Sequence, residues 1–229
     1  MATSAGERRL AAVTGASSGL GFELARQFAR RGFDLVVCAE DTGIHAAAKM
    51  FEADGARAHP VQVDLRRYEG VEQFYEQIRQ QGRPLEAIAI NAGVGVLGDF
   101  ARETDLREEL GMIQLNVVST VHLAKLAAMD MISRGRGKIL ITASVAGTMP
   151  TPLSAVYGAT KAFDLSFAAS LRHELRGTGV TVTALVPGPT HTDFFDREGG
   201  SDTKAAEEAE KNDPADVARQ GFEALMAGR

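Results

Sequence analysis

Short apolar runs alternate with longer amphipathic stretches along the whole chain. The short runs, such as Leu35-Val36-Val37-Cys38, are apolar at consecutive positions, which is typical of strands buried on both faces of a sheet. The longer stretches repeat apolar residues at helical spacing; Leu20, Leu24 and Phe28 lie on one of them, and Gly32 ends it. The pattern therefore predicts that strands and helices take turns along the chain.

The predicted elements follow one another without a linker or an internal repeat. Strands are expected at Leu10–Val13, Phe33–Cys38, His59–Val63, Ala87–Ile90, Lys138–Thr142 and Val180–Val186. Helices are expected at Leu20–Arg31, Ile44–Ala53, Gly70–Gln81, Thr104–Ser133, around Tyr157 to Lys161, and at Pro214–Met226. Because this alternation requires parallel strands joined by right-handed crossovers, the sequence predicts an α/β protein with a doubly wound parallel sheet, three α/β/α layers and a single domain over residues 1–229.

Composition and charge narrow the class of protein. The chain has 229 residues, 45% of them hydrophobic and 24% charged, as in ordinary soluble globular proteins. A formal net charge of −5 gives no electrostatic reason to expect nucleic acid or an anionic membrane as a partner. Cys38, the one cysteine, lies in an apolar run and predicts a small buried side chain rather than a disulfide or a nucleophile. A polar first segment and the lack of a membrane-length apolar run predict a cytoplasmic protein.

Three glycines mark the turn between the first strand and the first helix. Gly15, Gly19 and Gly21 leave room for backbone amides and the helix dipole to receive a diphosphate. Such glycines are also ordinary structural turns, and it is their place between a strand and a helix that favours nucleotide binding.

Two acidic residues follow the second strand, where a dinucleotide fold contacts the adenosine ribose. Glu40 and Asp41 can accept hydrogen bonds from the ribose hydroxyls and would repel a 2′-phosphate, and the same loop has no Arg or Lys before Lys49. The alternative is that the two acids face solvent or cap the next helix. The first interpretation predicts NAD(H) in preference to NADP(H).

Tyr157 and Lys161 are four residues apart in an Ala-rich stretch, so on a helix they share one face. A free phenol loses its proton at about pH 10, and a nearby fixed cation stabilises the phenolate. The pair is therefore a candidate acid/base device. Tyr and Lys at this spacing also occur on exposed helix surfaces, so the pair alone does not distinguish an acid/base device from an ordinary surface pair.

The ordered set of motifs resembles the short-chain dehydrogenase/reductase family, of the single-domain type with a Rossmann fold. The resemblance covers nearly the whole chain and rests on Thr14-Gly15-Ala16-Ser17-Ser18-Gly19-Leu20-Gly21, Asn91-Ala92-Gly93, Ser144, Tyr157-x-x-x-Lys161 and Pro187-Gly188. One departure is Ala143, where many relatives carry a second serine. The chain also stops at Arg229 without the further strand that relatives usually have, and we expect a trimmed tail rather than a sheet with one strand fewer.

The resemblance implies four catalytic residues. Tyr157 would donate a proton to a carbonyl or remove one from an alcohol, and Lys161 would make that proton easier to remove and hold the nicotinamide ribose. Ser144 would hydrogen-bond the substrate oxygen, and Asn116 would relay protons to Lys161. Ser144 as a turn or cap serine and Asn116 as a helix-interior contact are the structural alternatives.

The resemblance also implies a cofactor site for NAD(P) along the carboxyl ends of the strands. Its predicted members are Gly15, Ser17, Ser18, Gly19, Leu20, Gly21, Glu40, Asp64, Leu65, Asn91, Ala92, Gly93, Tyr157, Lys161, Pro187, Gly188, Thr190 and Thr192.

The predicted function is hydride transfer between NAD(P) and the carbonyl or secondary alcohol of a small or medium neutral substrate. A segment at about 191–213 would form the substrate loop. The alternatives are a non-catalytic nucleotide sensor, and a lyase or epimerase on the same scaffold. No metal is expected because the five histidines have no metal-ligand spacing. The resemblance further implies a homodimer or homotetramer formed through the Thr104–Ser133 and Tyr157 helices.

Overall fold

One parallel sheet organises the protein. The computed structural model describes residues 8–190 and 212–229. Within them, six strands pair in the order β3-β2-β1-β4-β5-β6. The strands are β1 (Arg9–Thr14), β2 (Phe33–Ala39), β3 (Ala58–Gln62), β4 (Leu85–Ile90), β5 (Gly137–Thr142) and β6 (Val180–Leu185). The helices are α1 (Gly19–Arg30), α2 (Gly43–Ala53), α3 (Tyr68–Arg79), α4 (Leu106–Ile113), a π-helical segment (Gln114–Val118), α5 (Ser119–Arg134), a 3₁₀ helix (Val145–Thr148), α6 (Ala155–Glu174) and α7 (Pro214–Ala227).

Successive strand residues point to opposite faces of the sheet, so each strand supplies two cores. In β1, Leu10 and Ala12 pack in the core that includes α3, α5 and α6. Ala11 and Val13 pack in the core that includes α1, α2 and α7. These four residues are at most 1% exposed, which explains why the strands are apolar at consecutive positions. The doubly wound α/β/α fold predicted from the alternating pattern is confirmed.

The strand order reverses between β1 and β4. Successive crossovers run outward from this point in opposite directions, so a crevice opens at the carboxyl ends of β1 and β4. The candidate site residues that the structure describes follow the carboxyl end of a strand or lie on a helix that packs beside it.

The long helix predicted at Thr104–Ser133 is interrupted by a π turn. It begins at Leu106 and ends at Arg134, and the π segment between α4 and α5 contains Asn116. The extra residue per turn shifts hydrogen bonds locally, and π turns of this kind are common at functional sites. An apolar periodicity averaged over many residues does not reveal one inserted residue.

By length and composition alone, the helix Leu106–Arg134 meets the criterion for a membrane span, with a mean hydropathy of 1.2. Half of that window is buried inside the protein, and Leu123, Ala124 and Met131 belong to the core. Its apolar character is therefore that of a helix packed on the sheet.

At the opposite end of the sheet from the crevice, a buried carboxylate lies among three arginines. Asp34 is 1% exposed. It pairs with Arg8 at 3.0 Å, Arg57 at 2.7 Å and Arg83 at 2.8 Å. Burial by itself raises the pKa of Asp34, but hydrogen bonds from Arg57 and Arg83 outweigh it and hold the pKa below its ordinary value. The charge is therefore compensated where the first strands begin.

Candidate active site

The glycine turn packs α1 directly onto the end of β1. Gly15 has φ 65°, a left-handed conformation that favours glycine. A Cβ on Gly21 would lie 2.1 Å from the Gly15 carbonyl oxygen, so a side chain cannot fit there. Gly19, also left-handed at φ 57°, begins α1 beside Leu20, whose side chain packs partly buried against the core of that face.

The first amides of α1 are suited to an anion. Ser18 is the N-cap, yet its side chain makes no capping hydrogen bond within the described residues, and the first turn of α1 contains no acidic residue. Helix amides at this end lack intrahelical partners and carry the positive end of the dipole. The turn therefore has room and charge for a diphosphate.

Thr14 and Asn91 join the ends of neighbouring strands. The Thr14 hydroxyl accepts hydrogen bonds from the amides of Asn91 and Ala92, both at 2.9 Å. The Asn91 side chain donates to the Thr14 carbonyl at 3.3 Å and accepts from the Thr142 hydroxyl at 3.1 Å. These bonds fix the turn after β4 against the ends of β1 and β5.

The acidic residues after β2 have different partners. Asp41 accepts from the Ser17 hydroxyl at 2.7 Å and from the Gly43 amide at 2.9 Å, so it links the glycine turn to the start of α2. Glu40 instead pairs with Arg66, which comes from the loop after β3. Both members of that pair are substantially exposed, with 57% and 36% of their side chains accessible.

Arg66 was missed in the sequence because it is distant from the loop after β2. Its amide donates to Asp64 at 2.9 Å, and its guanidinium reaches Glu40. Because β2 and β3 are parallel neighbours, the residues that follow the two strands come together, but this pairing is seen in the sheet and not in the sequence of either loop.

Leu65 is 4% exposed and lies in the core, so its side chain is not available to a ligand.

Lys161 is anchored by two acceptors. Its Nζ donates to the Thr142 carbonyl oxygen at 2.9 Å and to Asp164 Oδ2 at 3.1 Å. Lys161 is 5% exposed and Asp164 1% exposed. The ammonium is therefore held at a defined position at the end of β5, where Thr142 is the last residue.

Asn116 connects the π segment to the loop after β4. Its Oδ1 accepts from the Val94 amide at 3.0 Å, and its Nδ2 donates to the Val94 carbonyl at 2.8 Å and to the Thr160 hydroxyl at 3.0 Å. Gly93 lies between this amide and the lysine. A Cβ on Gly93 would be 3.2 Å from Asn116 Oδ1 and 3.5 Å from Lys161 Nζ.

Ser144 begins the 3₁₀ helix that follows β5. Its Oγ accepts from the Ala146 amide at 3.2 Å. A Cβ on Gly147 would lie 2.5 Å from the carbonyl carbon of Lys161, so this helix rests directly on the α6 backbone. The contact brings the serine turn to the helix that bears Tyr157 and Lys161.

Tyr157 lies in the first turn of α6, one turn before Lys161, and is partly buried. The four-residue step puts both side chains on one face of α6. The chain before α6 adopts a constrained turn: Leu153 has φ 63°, rare for a residue with a Cβ, and its carbonyl accepts from the Gly98 amide at 2.8 Å.

The turn after β6 packs on the serine turn. The Pro187 carbonyl accepts from the Val145 amide at 3.1 Å, and the Thr190 hydroxyl donates to the Gly188 carbonyl at 2.9 Å. Thr190 also bridges to Asn212. Thr192 lies outside the described residues. Of the predicted substrate loop at 191–213, the structure describes the last two positions.

The described residues contain no group of three or more His, Cys, Asp or Glu that could hold a metal ion. Cys38 is fully buried, as its apolar run predicts, and burial raises the pKa of its thiol far above the ordinary value.

Comparison with known proteins gives the same family as the motifs. The family model for the short chain dehydrogenases matches residues 9–201. The 1-deoxy-11-beta-hydroxypentalenate dehydrogenase of Streptomyces exfoliatus is 35% identical over 231 residues, which cover 97% of this chain and 82% of that protein. Sulfoacetaldehyde reductase 2 of Chromohalobacter salexigens is 32% identical over 198 residues, which cover 85% of this chain and 78% of that protein.

A solved structure shares the fold at similar identity. The short-chain dehydrogenase from Sphingobium yanoikuyae in complex with NADPH superposes with a TM-score of 0.88 and 30% identity, over 96% of this chain and 85% of that one. The matched residues and the fold confirm the resemblance drawn from the motifs: the chain belongs to the short-chain dehydrogenase family and is an NAD(P)-dependent oxidoreductase.

Proposed function

We propose that the protein interconverts a carbonyl and a secondary alcohol on a small or medium neutral substrate. The observation that carries the proposal is the fixed position of Lys161. Its ammonium is buried between the Thr142 carbonyl and Asp164, one helical turn from Tyr157, and its backbone packs against the turn that follows Ser144. The three groups that the chemistry needs therefore come from one strand end and one helix.

The described residues fit NAD(P), which when bound supplies or accepts a hydride. The diphosphate would lie on the first amides of α1, and Asp64 would bind the adenine. An ammonium has three N–H groups, and described residues engage two of those on Lys161, so the third would hold the nicotinamide ribose. The turn of Pro187, Gly188 and Thr190 would contact the nicotinamide amide together with Thr192.

Proton handling would fall to the chain's own side chains. The Ser144 hydroxyl would donate a hydrogen bond to the substrate oxygen, and the Tyr157 phenol would give that oxygen a proton in reduction or take one in oxidation. The Lys161 ammonium would favour the phenolate. Asn116, fixed beside Gly93 and Lys161, would hold a water that relays protons toward solvent.

A neutral substrate is supported by the turn before α6. The residues at 145–153 carry no charged side chain, and Met149 and Leu153 are 61% and 53% exposed. They would offer apolar contact to a substrate at Tyr157.

We also propose a preference for NAD(H), supported by the position of Glu40 after β2. A carboxylate there accepts from ribose hydroxyls and repels a 2′-phosphate. Arg66 opposes this preference, because its guanidinium pairs with Glu40 and carries the charge that a 2′-phosphate would need. The preference therefore depends on which member of this exposed pair meets the ribose.

Turnover tests the proposed substrate class. Consumption of NADH is followed by its absorbance with a panel of neutral aldehydes and ketones. Formation of NADH from NAD⁺ is followed in the same way with secondary alcohols. We expect turnover with at least one class of neutral substrate. Tight cofactor binding without turnover of any neutral carbonyl or alcohol in the panel would contradict the proposed substrate class.

We propose a homodimer or homotetramer in the cytoplasm. Support for assembly comes from a stripe of exposed apolar residues along the long helix and on α6. The stripe consists of Leu106 (64% exposed), Leu110 (51%), Val118 (47%), Val121 (37%) and Phe163 (38%).

A further inference from the structure

Asp164 is a buried carboxylate whose partner is the candidate catalytic lysine. It lies three residues after Lys161 on α6, and its Oδ2 is 3.1 Å from Lys161 Nζ. Its other oxygen, Oδ1, is buried and has no hydrogen-bond partner among the described residues. A buried carboxylate with an unpaired oxygen is costly, so this position is not explained by stability alone.

No other carboxyl or basic side chain among the described residues is hydrogen-bonded or ion-paired to Lys161 or Asp164. The 3₁₀ helix, the π segment and β6 pack against α6 without contributing any titratable side chain. β5 contributes Lys138, whose ammonium donates to the Met226 carbonyl. The remaining titratable groups on elements packed against α6, and on α6 itself beyond this site, are Arg107, Glu108, Glu109, Arg172, His173 and Glu174.

None of these six groups is hydrogen-bonded or ion-paired to Lys161. Glu109, which is buried, accepts from the Thr104 hydroxyl at 2.8 Å, and Arg172 donates to the Val182 carbonyl. Asp164 is accordingly the carboxylate that compensates the ammonium in the described structure. Burial raises the pKa of Asp164, and the charge of Lys161 opposes that rise.

We propose that Asp164 is a positioning residue that holds the Lys161 ammonium in place and reduces the electrostatic effect of that ammonium on the Tyr157 phenol. The inference rests on the proposed roles of Tyr157 and Lys161. An isolated ammonium one turn from the phenol would favour the phenolate strongly, whereas an ammonium paired with a carboxylate favours it less. Asp164 thereby sets the pH at which the phenol changes between proton donor and acceptor.

Asp164→Asn separates charge from geometry. The asparagine keeps the shape and an oxygen that can accept from Lys161, but it removes the negative charge. We expect the midpoint of Tyr157 ionisation to move to lower pH by about one unit. The ultraviolet titration of each protein, minus that of the same protein carrying Tyr157→Phe, isolates this phenol from Tyr68 and Tyr75 and needs no substrate.

Asp216→Asn is the matched control. It removes a carboxylate from another i,i+3 helical ion pair, with Arg219, on the exposed surface of α7. It should leave the Tyr157 midpoint unchanged. Asp164→Glu, which retains the charge, should stay closer to the wild-type midpoint than Asp164→Asn. An unchanged midpoint in a folded Asp164→Asn protein would overturn the proposal.

If Asp164→Asn does not fold, Asp164→Ser gives the same charge change with a smaller side chain, and the same two outcomes apply.

The activity readout separates this inference from the proposed function. The acid limb of kcat/KM for alcohol oxidation should shift with the phenol in Asp164→Asn. Full turnover in Tyr157→Phe would refute the proposed function, whereas Tyr157-dependent turnover with an unshifted limb would refute only the role of Asp164.

Discussion

The Nζ of Lys161 donates a hydrogen bond of 2.9 Å to the backbone carbonyl of Thr142, which joins the middle of α6 to the last residue of β5. The bond fixes the position of the main chain at the end of β5, and Ser144 follows Thr142 by two residues. A helix that carries Tyr157 is thus fixed relative to the strand end that carries Ser144. This relationship explains how groups separated in sequence come to one side of the crevice.

Gly93→Ala tests the packing beside that lysine. The new Cβ would lie 3.2 Å from Asn116 Oδ1, so the Asn116 amide must give way by a few tenths of an ångström, whereas its distance of 3.5 Å from Lys161 Nζ is an ordinary contact. Because small misplacements of catalytic groups are costly, we expect kcat to fall about tenfold. Gly111→Ala is the control, since its Cβ would meet only Arg66 Cδ at 3.8 Å. Steady-state kinetics of both variants measure the effect, and unchanged kcat in Gly93→Ala would show that the contact does not matter.

Glu40→Gln tests the cofactor preference. Removing the carboxylate leaves Arg66 available to a 2′-phosphate, so the ratio of the NADPH Kd to the NADH Kd should fall about tenfold. Fluorescence titration with each reduced cofactor measures both constants. Glu69→Gln, which alters an exposed pair with Arg67, should leave the ratio unchanged. Tighter binding of NADPH than NADH by the wild-type protein would contradict the preference.

Asp34 links stability to pH. Its pKa is lowered from the ordinary value of 3.8, so the folded state gains stability above that value and loses it as the pH falls through the lower folded pKa. Asp34→Asn leaves three arginines without their carboxylate and should reduce the free energy of unfolding at neutral pH by about 3 kcal/mol.

Urea unfolding at pH 7 and at about pH 2.5 measures this effect. The variant should also lose less stability than the wild type as the pH falls below about 4, because its acid group is gone. Asp216→Asn, in an exposed pair, should leave the free energy of unfolding nearly unchanged. Equal stability of wild type and Asp34→Asn would refute the role of the buried cluster.

Leu110→Asp tests the proposed assembly. Leu110 is 51% exposed on the apolar stripe of the long helix, and a carboxylate there would be desolvated in an interface. Size-exclusion chromatography with light scattering should show a smaller species than for the wild type. Met50→Asp, with a similarly exposed residue on α2, should keep the wild-type mass. A wild-type monomer would contradict the proposal.

The fold could be predicted because parallel buried strands and amphipathic helices leave different patterns in the sequence. Apolar runs such as the one that ends at Cys38 identify strands directly, and β2 is buried throughout. The π turn at Asn116 was not predictable, because one extra residue hardly changes an averaged helical periodicity. The sequence also did not show which helices pack on which face of the sheet, because that depends on the order of the strands.

The candidate site was predictable where motifs are local and not where partners are distant. The glycine turn and the Tyr157–Lys161 spacing are contained in short segments. The approach of Arg66 to Glu40 depends on β2 and β3 being neighbours, so the loop that contains Glu40 gives no sign of it. Asp164 was near Lys161 in sequence, but its burial depends on the packing of α6 against other elements.

Tyr157→Phe tests the central claim most directly, because it removes one hydroxyl and leaves the glycine turn and Lys161 in place. With a substrate that the wild type turns over, we expect kcat to fall by about 10²-fold or more while the Kd for NADH changes less than about twofold. Stopped-flow or steady-state assays of NADH absorbance give kcat, and fluorescence titration with NADH gives its Kd. A Tyr157→Phe protein that retains wild-type kcat would contradict the account.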